Sequence, residues 1–182
     1  MSHERLWAPW RLAYVAAEKD ITSLPDDCFL CRDREESRDA ENFVVSRGQY
    51  TLTVLNRFPY NNGHVLVAPL AHKATLDELD DNELLACMHE LRRLAAVYRQ
   101  ILRPDGFNIG VNLGRAAGAG VPGHLHWHLV PRWSGDTNFM TVIDDVRVVS
   151  QSLSALYDLL KLALDASAEQ PAQPKKTSRR RE

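Results

Sequence analysis

The sequence predicts an α+β domain built on a central antiparallel sheet of about five strands, with one long helix and a C-terminal helix. Two observations support this fold class. Five short apolar or alternating runs are bounded by turn residues, which is typical of strands. Two longer stretches carry apolar residues three and four positions apart, which is typical of helices. With 182 residues and 45% hydrophobic content, the chain is long enough for one domain with a sizeable core.

The predicted strands come in two groups, with the long helix between them. The first three should form an antiparallel meander, and a loop with four glycines, residues 114–123, separates the last two. The predicted strands are Phe43 to Ser46, Thr51 to Leu55, Val65 to Ala68, Phe107 to Leu113 and Gly123 to Pro131.

Two helices are predicted from apolar spacing, and the first also has a start signal. Thr75 and Glu78 have the spacing of a capping box, and apolar residues recur at helical spacing from Leu76 to about Leu102. The second helix is predicted from Ser150 to about Leu164 by the same spacing.

The fifth predicted strand carries histidines at three alternating positions, His124, His126 and His128. Because a strand repeats every two residues, the three imidazoles should share one face, roughly 6.6 Å apart, while the intervening apolar residues enter the core. Imidazole nitrogens can attack, donate or ligate. Three interpretations follow: a histidine-rich polar face, a metal site, or nucleophilic catalysis with flanking phosphate binders.

Composition limits the class of protein. We expect an aromatic-rich packed segment over 1–27, the main domain over 28–166 and a disordered basic tail over 167–182.

The last twelve residues carry a net charge of +4, which leaves −6 on the rest, so a nucleic-acid partner is not expected. No apolar run predicts a membrane span or a signal peptide, which favours a cytoplasmic protein. The Cys28/Cys31 pair indicates a metal or redox site rather than a disulfide framework.

The histidine strand, taken with three further motifs, resembles the histidine triad family of nucleotide-binding hydrolases and transferases. These motifs are Asn56-Arg57-x-Pro59, Gly63-His64-Val65-Leu66-Val67 and Pro131-Arg132. Two motifs look most like bacterial members akin to diadenosine tetraphosphate phosphorylases and fragile-histidine-triad hydrolases: Trp7-x-Pro9-Trp10-Arg11 and Pro131-Arg132-Trp133-x-Gly135-Asp136-x-Asn138-Phe139. The resemblance implies a homodimer that hydrolyses or phosphorolyses a nucleoside phosphate ester or anhydride, such as a dinucleoside polyphosphate or adenylyl compound, without an organic cofactor.

The resemblance also implies residue roles. Attack on phosphorus requires a neutral imidazole whose other nitrogen is held by a fixed acceptor, and the middle triad residue, His126, is the expected nucleophile of a covalent nucleotidyl intermediate. His128 and His64 should stabilise the phosphate oxygens. Asn56 corresponds to a ribose contact, with a turn asparagine as the alternative. The expected nucleotide-binding residues are Asn56, Asn112, Gly118, Gly120 and His128.

One departure from the family concerns the leaving group. Better-known branches place a serine, threonine or glutamine just before the first triad histidine, whereas this chain has Gly120-Val121-Pro122-Gly123. Protonation of the leaving group is therefore unassigned.

A metal site follows from the same resemblance. His72 matches a histidine ligand of zinc-bearing triad relatives and of galactose-1-phosphate uridylyltransferase, and the first triad histidine, His124, supplies another ligand. With Cys28 and Cys31 these residues would form a closed, structural Cys2His2 zinc site. His124 could then not act as a general acid.

Two other functions stay open at this stage. One is a nucleotide-binding regulator with negligible turnover. The other is a DNA-end deadenylating enzyme, for which the basic tail is the only support.

Overall fold

A computed structural model of the chain describes residues 28–136 and 151–168. Within these ranges a five-stranded sheet has the order β1-β2-β3-β5-β4, and all its neighbouring strands are antiparallel. The strands are β1 Val44–Arg47, β2 Thr51–Leu55, β3 Val65–Pro69, β4 Gly106–Val111 and β5 Trp127–Arg132. The helices are α1 Phe29–Glu35, α2 Asp39–Asn42, α3 Asp81–Ile101 and α4 Leu153–Ala168. The predicted α+β class and strand number are confirmed.

The packed segment expected over residues 1–27 lies outside the described residues, as do residues 169–182 of the tail expected over 167–182. Residues 167 and 168 belong to α4. The division of the chain into these parts stays a prediction. None of the helices within 28–136 and 151–168 combines the length and apolar character needed to cross a bilayer.

The two faces of the sheet are covered differently. The larger core lies between one face and helices α3 and α4, and it takes in Leu94 and Tyr98 from α3 and Leu160 from α4. A smaller apolar cluster joins α1 to the opposite face. The strands alternate accordingly: in β3, Val67 faces the larger core and Leu66 the smaller one. Since Leu66 pairs with His128 across β3 and β5, His128 lies on the α1 face.

The long helix begins later than the capping pattern at Thr75 predicts. The box formed by Thr75 and Glu78 is present, but it caps only a 3₁₀ turn, Leu76–Glu78. A second box follows: Asp80 accepts from the backbone N–H groups of Asn82 and Glu83, and the Glu83 side chain accepts from the Asp80 N–H. The helix therefore begins at Asp81, because this second box satisfies its first free N–H groups.

The histidine strand also begins later than expected. The β3–β5 ladder ends at the Val67–Trp127 pair, so His124 and His126 precede the regular strand and only His128 lies within it. The physical reason is that the Leu125 N–H does not bond to β3. It donates instead to the Lys73 carbonyl, which lies beyond the end of β3, at 2.6 Å. The expected burial of the intervening residues is found, since Leu125, Trp127 and Leu129 all belong to the larger core.

Candidate active site and metal centre

Three of the predicted site histidines lie together on the α1 face of the sheet. His64, immediately before β3, approaches His128 in β5 with 2.9 Å between His64 Nε2 and His128 Nδ1. The His126 ring centroid is 5.1 Å from that of His128. His64 and His126 are buried, and His128 is half-buried. The structure therefore brings together the three residues expected to act on phosphate.

Gly63 allows His64 to take this position. Its φ is +80°, and a Cβ added there would lie 2.9 Å from Pro131 Cγ and 3.0 Å from Leu102 Cδ1. A side chain at position 63 would thus strain the backbone and collide with the end of β5. Asn61 fixes the same loop from the other side, because its amide donates to Asp136 Oδ2 at 2.7 Å and to the Pro131 carbonyl at 3.2 Å.

The hydrogen bonds define where the His64 and His128 protons lie. The Tyr60 backbone N–H donates to His64 Nδ1 at 3.1 Å, so this nitrogen carries the lone pair and His64 Nε2 carries the proton. His64 Nε2–H then donates to His128 Nδ1. His128 Nε2 is left with the proton, and this buried nitrogen has no hydrogen-bond partner among the described residues. It is a donor available to an anionic ligand.

His126 has the opposite arrangement. Its Nδ1–H donates to the carbonyl oxygen of His124 at 2.8 Å. A neutral ring protonated at Nδ1 keeps its lone pair on Nε2. The site thus pairs one imidazole nitrogen that can attack with a neighbouring N–H that can stabilise negative charge.

Burial keeps these imidazoles neutral. Desolvation, with a smaller contribution from the neighbouring histidines, lowers the pKa of His64 to about 3 and that of His128 to about 4. Desolvation also lowers the pKa of His126, although its bond to the His124 carbonyl acts in the other direction. Neutral rings are the form required for nucleophilic attack.

Tyr60 is a site residue that the sequence analysis missed. Its ring stacks on His64 with centroids 4.7 Å apart and on His128 at 5.8 Å. It thereby helps to bury both rings, and its backbone N–H fixes the His64 tautomer. The available signal was its position four residues before His64 in the turn-rich loop.

The predicted nucleotide-binding residues lie in two separate places, with Asn56 beside His64 and Asn112 at the glycine-rich loop. Asn56 lies against His64, with 3.2 Å between Asn56 Nδ2 and His64 Nδ1, and its Oδ1 accepts from the Phe58 N–H at 2.9 Å. It therefore also forms the asparagine turn considered as the alternative. Asn112 donates to the Gly118 carbonyl at 3.5 Å, after the 3₁₀ turn Arg115–Ala117. Roles for Asn112, Gly118 and Gly120 stay predictions.

The four predicted metal ligands form one cluster at the other end of the histidine segment. The ligand atoms of Cys28, Cys31, His72 and His124 all lie within 4.8 Å of one another. His124 Nδ1 is 3.2 Å from Cys28 Sγ and 3.5 Å from Cys31 Sγ, and His72 Nδ1 is 3.2 Å from Cys31 Sγ. Tetrahedral zinc with sulfur and nitrogen ligands needs separations of about 3.3–3.8 Å. The cluster fits such an ion after small adjustments.

The surroundings of the cluster favour a bound cation. Burial, together with the neighbouring Cys28 thiol, raises the pKa of Cys31 to about 11, so a thiolate there needs a compensating positive charge. His124 Nε2 lies 2.9 Å from the Pro69 carbonyl, which fixes the proton on Nε2 and frees Nδ1 for a metal. The Pro69 carbonyl is a second contact that the sequence analysis did not identify.

Comparison with known proteins identifies the family of the chain. The HIT domain matches residues 37–135, more than half of the chain. The chain belongs to the HIT domain family. It is 37% identical to an AP-4-A phosphorylase of Mycobacterium tuberculosis (strain ATCC 25618 / H37Rv) over 171 residues, 92% of this chain and 86% of the relative. It is also 32% identical to a bis(5'-adenosyl)-triphosphatase of Saccharomyces cerevisiae over 93 residues, 50% of this HIT chain and 44% of the relative.

A solved HIT structure shares the fold. The crystal structure of a Zn-bound histidine triad family protein from Mycobacterium smegmatis superposes with a TM-score of 0.64 at 29% identity, covering 80% of this chain and 100% of that one. The family assignment made from the histidine strand is thus confirmed.

Proposed function

We propose that this HIT protein is a nucleotide hydrolase or phosphorylase that cleaves a dinucleoside polyphosphate or a related adenylyl compound through a covalent nucleotidyl-His126 intermediate. The observation that carries the proposal is the 2.8 Å bond from His126 Nδ1–H to the His124 carbonyl. It leaves a lone pair on His126 Nε2, beside a buried His128 N–H that lacks a partner in the described part of the chain.

The reaction follows from these two nitrogens. His126 Nε2 attacks the α-phosphorus and forms an N–P bond. The P–O bond to the leaving nucleotide breaks at the same time, and its electron pair stays on the oxygen of the leaving nucleotide. His128 Nε2–H donates to a non-bridging oxygen as charge develops, and His64 holds His128 in the required tautomer. Water or inorganic phosphate then attacks phosphorus, and the N–P bond breaks with its electron pair returning to His126 Nε2. When water attacks, its proton is released to solvent.

The substrate class rests on the relatives. The proteins similar to this chain include one named for AP-4-A phosphorolysis and one named for cleavage of bis(5'-adenosyl) triphosphate. We assign Asn56 to the ribose of the reacting nucleotide, and Asn112, Gly118 and Gly120 to the phosphates. Asn56 is well placed for its role because its amide already lies against His64.

We propose that Cys28, Cys31, His72 and His124 hold a structural zinc ion. Four protein ligands leave no open position for water, so the ion would supply a fixed scaffold and no catalytic ligand exchange. A cytoplasmic location is part of this proposal, because a reducing compartment keeps both cysteines available as thiolates.

We also propose that the protein is a homodimer. β4 lies at one edge of the sheet and pairs only with β5 among the described strands. An apolar residue of this edge strand, Ile109, is half exposed.

Mass spectrometry of protein quenched during turnover tests the chemistry. With diadenosine tetraphosphate, the wild-type chain should gain the mass of one adenylyl group, and His126→Ala should gain none. His89→Ala is the matched control, because His89 is an exposed histidine of α3. Wild-type protein that turns over without any adduct on His126 contradicts the mechanism.

Product analysis distinguishes the two activities. Release of AMP without added phosphate indicates hydrolysis, and ADP formation that requires phosphate indicates phosphorolysis. Nucleotide binding without any turnover that depends on His126 would overturn the enzyme proposal in favour of a regulatory nucleotide-binding protein.

A further inference from the structure

We infer that His124 is a positioning residue through which the metal centre holds the nucleophile, so that metal occupancy sets the His126 tautomer. This inference rests on the function proposed for His126. It concerns one residue whose ring belongs to the metal cluster and whose backbone belongs to the active site.

Every polar group of the His124 side chain is engaged. Nδ1 faces the two cysteine sulfurs at 3.2 and 3.5 Å, and Nε2–H donates to the Pro69 carbonyl at 2.9 Å. The residue is only 2% exposed. With a metal on Nδ1 and a carbonyl on Nε2–H, the ring would have one orientation and one protonation state.

The His124 carbonyl in turn holds the nucleophile. It accepts the His126 Nδ1–H at 2.8 Å, the bond that leaves the lone pair on Nε2. If this acceptor moves, the neutral His126 ring is free to place its proton on Nε2 instead. A ring in that tautomer has no lone pair to direct at phosphorus.

The backbone at His124 depends on the side chain because the sheet does not hold it. The ladder of β5 begins only at Trp127. Around His124 the backbone bonds are isolated ones, from His124 N–H to the Val121 carbonyl at 3.2 Å and from Leu125 N–H to the Lys73 carbonyl at 2.6 Å. The cluster contacts of the ring therefore supply much of the restraint on its carbonyl.

His72→Ala and His72→Cys form the test pair, since neither changes His124 or His126. His72→Ala leaves three ligands, whereas His72→Cys keeps four as a Cys3His set. His89→Ala, on the exposed face of α3, is the control. For each protein we would measure zinc content, ring ¹⁵N NMR signals of His126, and kcat and KM.

His72→Ala should lose zinc, show a mixture of His126 tautomers and lose kcat by on the order of tenfold or more, as typically follows loss of a partner that orients a functional ligand. KM should change much less, because the phosphate contacts remain. His72→Cys should keep zinc, the Nδ1–H tautomer and most of kcat.

Two results overturn the inference. One is zinc-free, folded His72→Ala protein whose His126 remains wholly in the Nδ1–H tautomer. The other is zinc-loaded His72→Cys protein that has lost that tautomer, and this result decides the matter if His72→Ala does not fold. A tautomer that follows zinc in a protein without turnover would refute the proposed function and leave this inference standing.

Discussion

Hydrogen bonds at single residues give each site histidine a separate task. The Tyr60 N–H, His64 and His128 form a chain of donors that ends at His128 Nε2–H. A separate bond from His126 to the His124 carbonyl leaves His126 Nε2 without a proton. The triad is therefore three rings with different hydrogen bonds, and in the proposed mechanism His124 would bind the metal, His126 would attack and His128 would donate.

Replacing His128 should impair the chemical step more than substrate binding. His128→Ala removes a donor aimed at the developing phosphate charge, and loss of one such donor typically lowers kcat by about 10²–10³-fold. His64→Ala should cost less, because His128 would remain with a less restricted tautomer. Steady-state kinetics of the two variants beside His89→Ala measures this order. A larger loss in His64→Ala than in His128→Ala would contradict the assigned roles.

The low pKa values predict a shifted acid limb in the pH–rate profile. Attack requires neutral His126, whose pKa burial lowers below its ordinary value of 6.5. His64 and His128, with pKa values of about 3 and 4, stay neutral throughout the physiological range. We expect kcat/KM to stay level as the pH falls through 6.5 and to decline only below it.

Tyr60→Ala tests the cause of these shifts. The substitution removes the ring stacked on His64 and His128, which admits water and raises the pKa values of both. NMR titration of the ring signals should show the pKa values of His64 and His128 rising in Tyr60→Ala, whereas Tyr60→Phe should leave them in place. Unchanged pKa values in Tyr60→Ala would show that the sheet and α1 alone desolvate the two rings.

At the scale of elements, the proposed metal ion would attach α1 to the sheet. The cluster takes Cys31 from α1 and Cys28 from its N-cap position, and the other ligands come from beyond β3 and before β5. The apolar cluster beneath α1 is small, with Leu30 as its most buried α1 side chain. Much of the stability of this contact should therefore come from the metal.

Metal removal should release α1 before it affects the sheet. After chelation, amide hydrogen exchange should accelerate in α1 and in the 124–126 segment, while β2 and β3 stay protected. Cys28→Ser should show the same pattern, and Cys87→Ala, a change in α3 outside the cluster, should leave the metal content unchanged. Uniform acceleration over the whole sheet would show that the ion stabilises the fold globally.

The start of α3 gives a second prediction at this scale. Asp80→Ala removes the N-cap of a 21-residue helix and should lower the free energy of unfolding by about 1 kcal/mol. Thr75→Ala removes the cap of a three-residue 3₁₀ turn and should cost less. Urea unfolding of both variants measures the difference. Equal losses would indicate that the Thr75 turn and α3 fold as one capped unit.

These elements also show how far sequence reasoning reaches. Alternation and helical spacing located all five strands and both long helices. The spacing rules could not choose between two capping boxes five residues apart, because each one satisfies the same requirement locally. Nor could alternation show that His124 and His126 precede the ladder, since that boundary depends on a bond between Leu125 and the distant Lys73.

At the scale of the whole molecule, the site depends on residues that only the fold brings together. His64 and His128 are 64 positions apart, and Cys28 and His124 are 96 apart. Spacing alone does not predict such contacts, so the ligand set and the shared role of His64 and His128 came from resemblance to a family, and the direct contact between the two rings was not predicted. Neither spacing nor resemblance predicted the contacts of the Pro69 carbonyl and the Tyr60 ring, because a backbone acceptor and a stacking aromatic residue have no distinctive sequence pattern.

The edge of the sheet sets the expectation for assembly. Ile109 of β4 lies opposite Leu129 in the register, so its side chain is on the face packed by α3 and α4, yet it is 50% exposed. An apolar residue left half exposed on the edge strand of the described sheet suits pairing with a second copy, which would join two sheets across a two-fold axis. Light scattering after gel filtration should give twice the chain mass at micromolar concentration. Ile109→Lys should shift the protein towards monomer, whereas Leu162→Lys, at an exposed position of α4, should not. A wild-type monomer, or an Ile109→Lys dimer as stable as wild type, would place the interface elsewhere or exclude it.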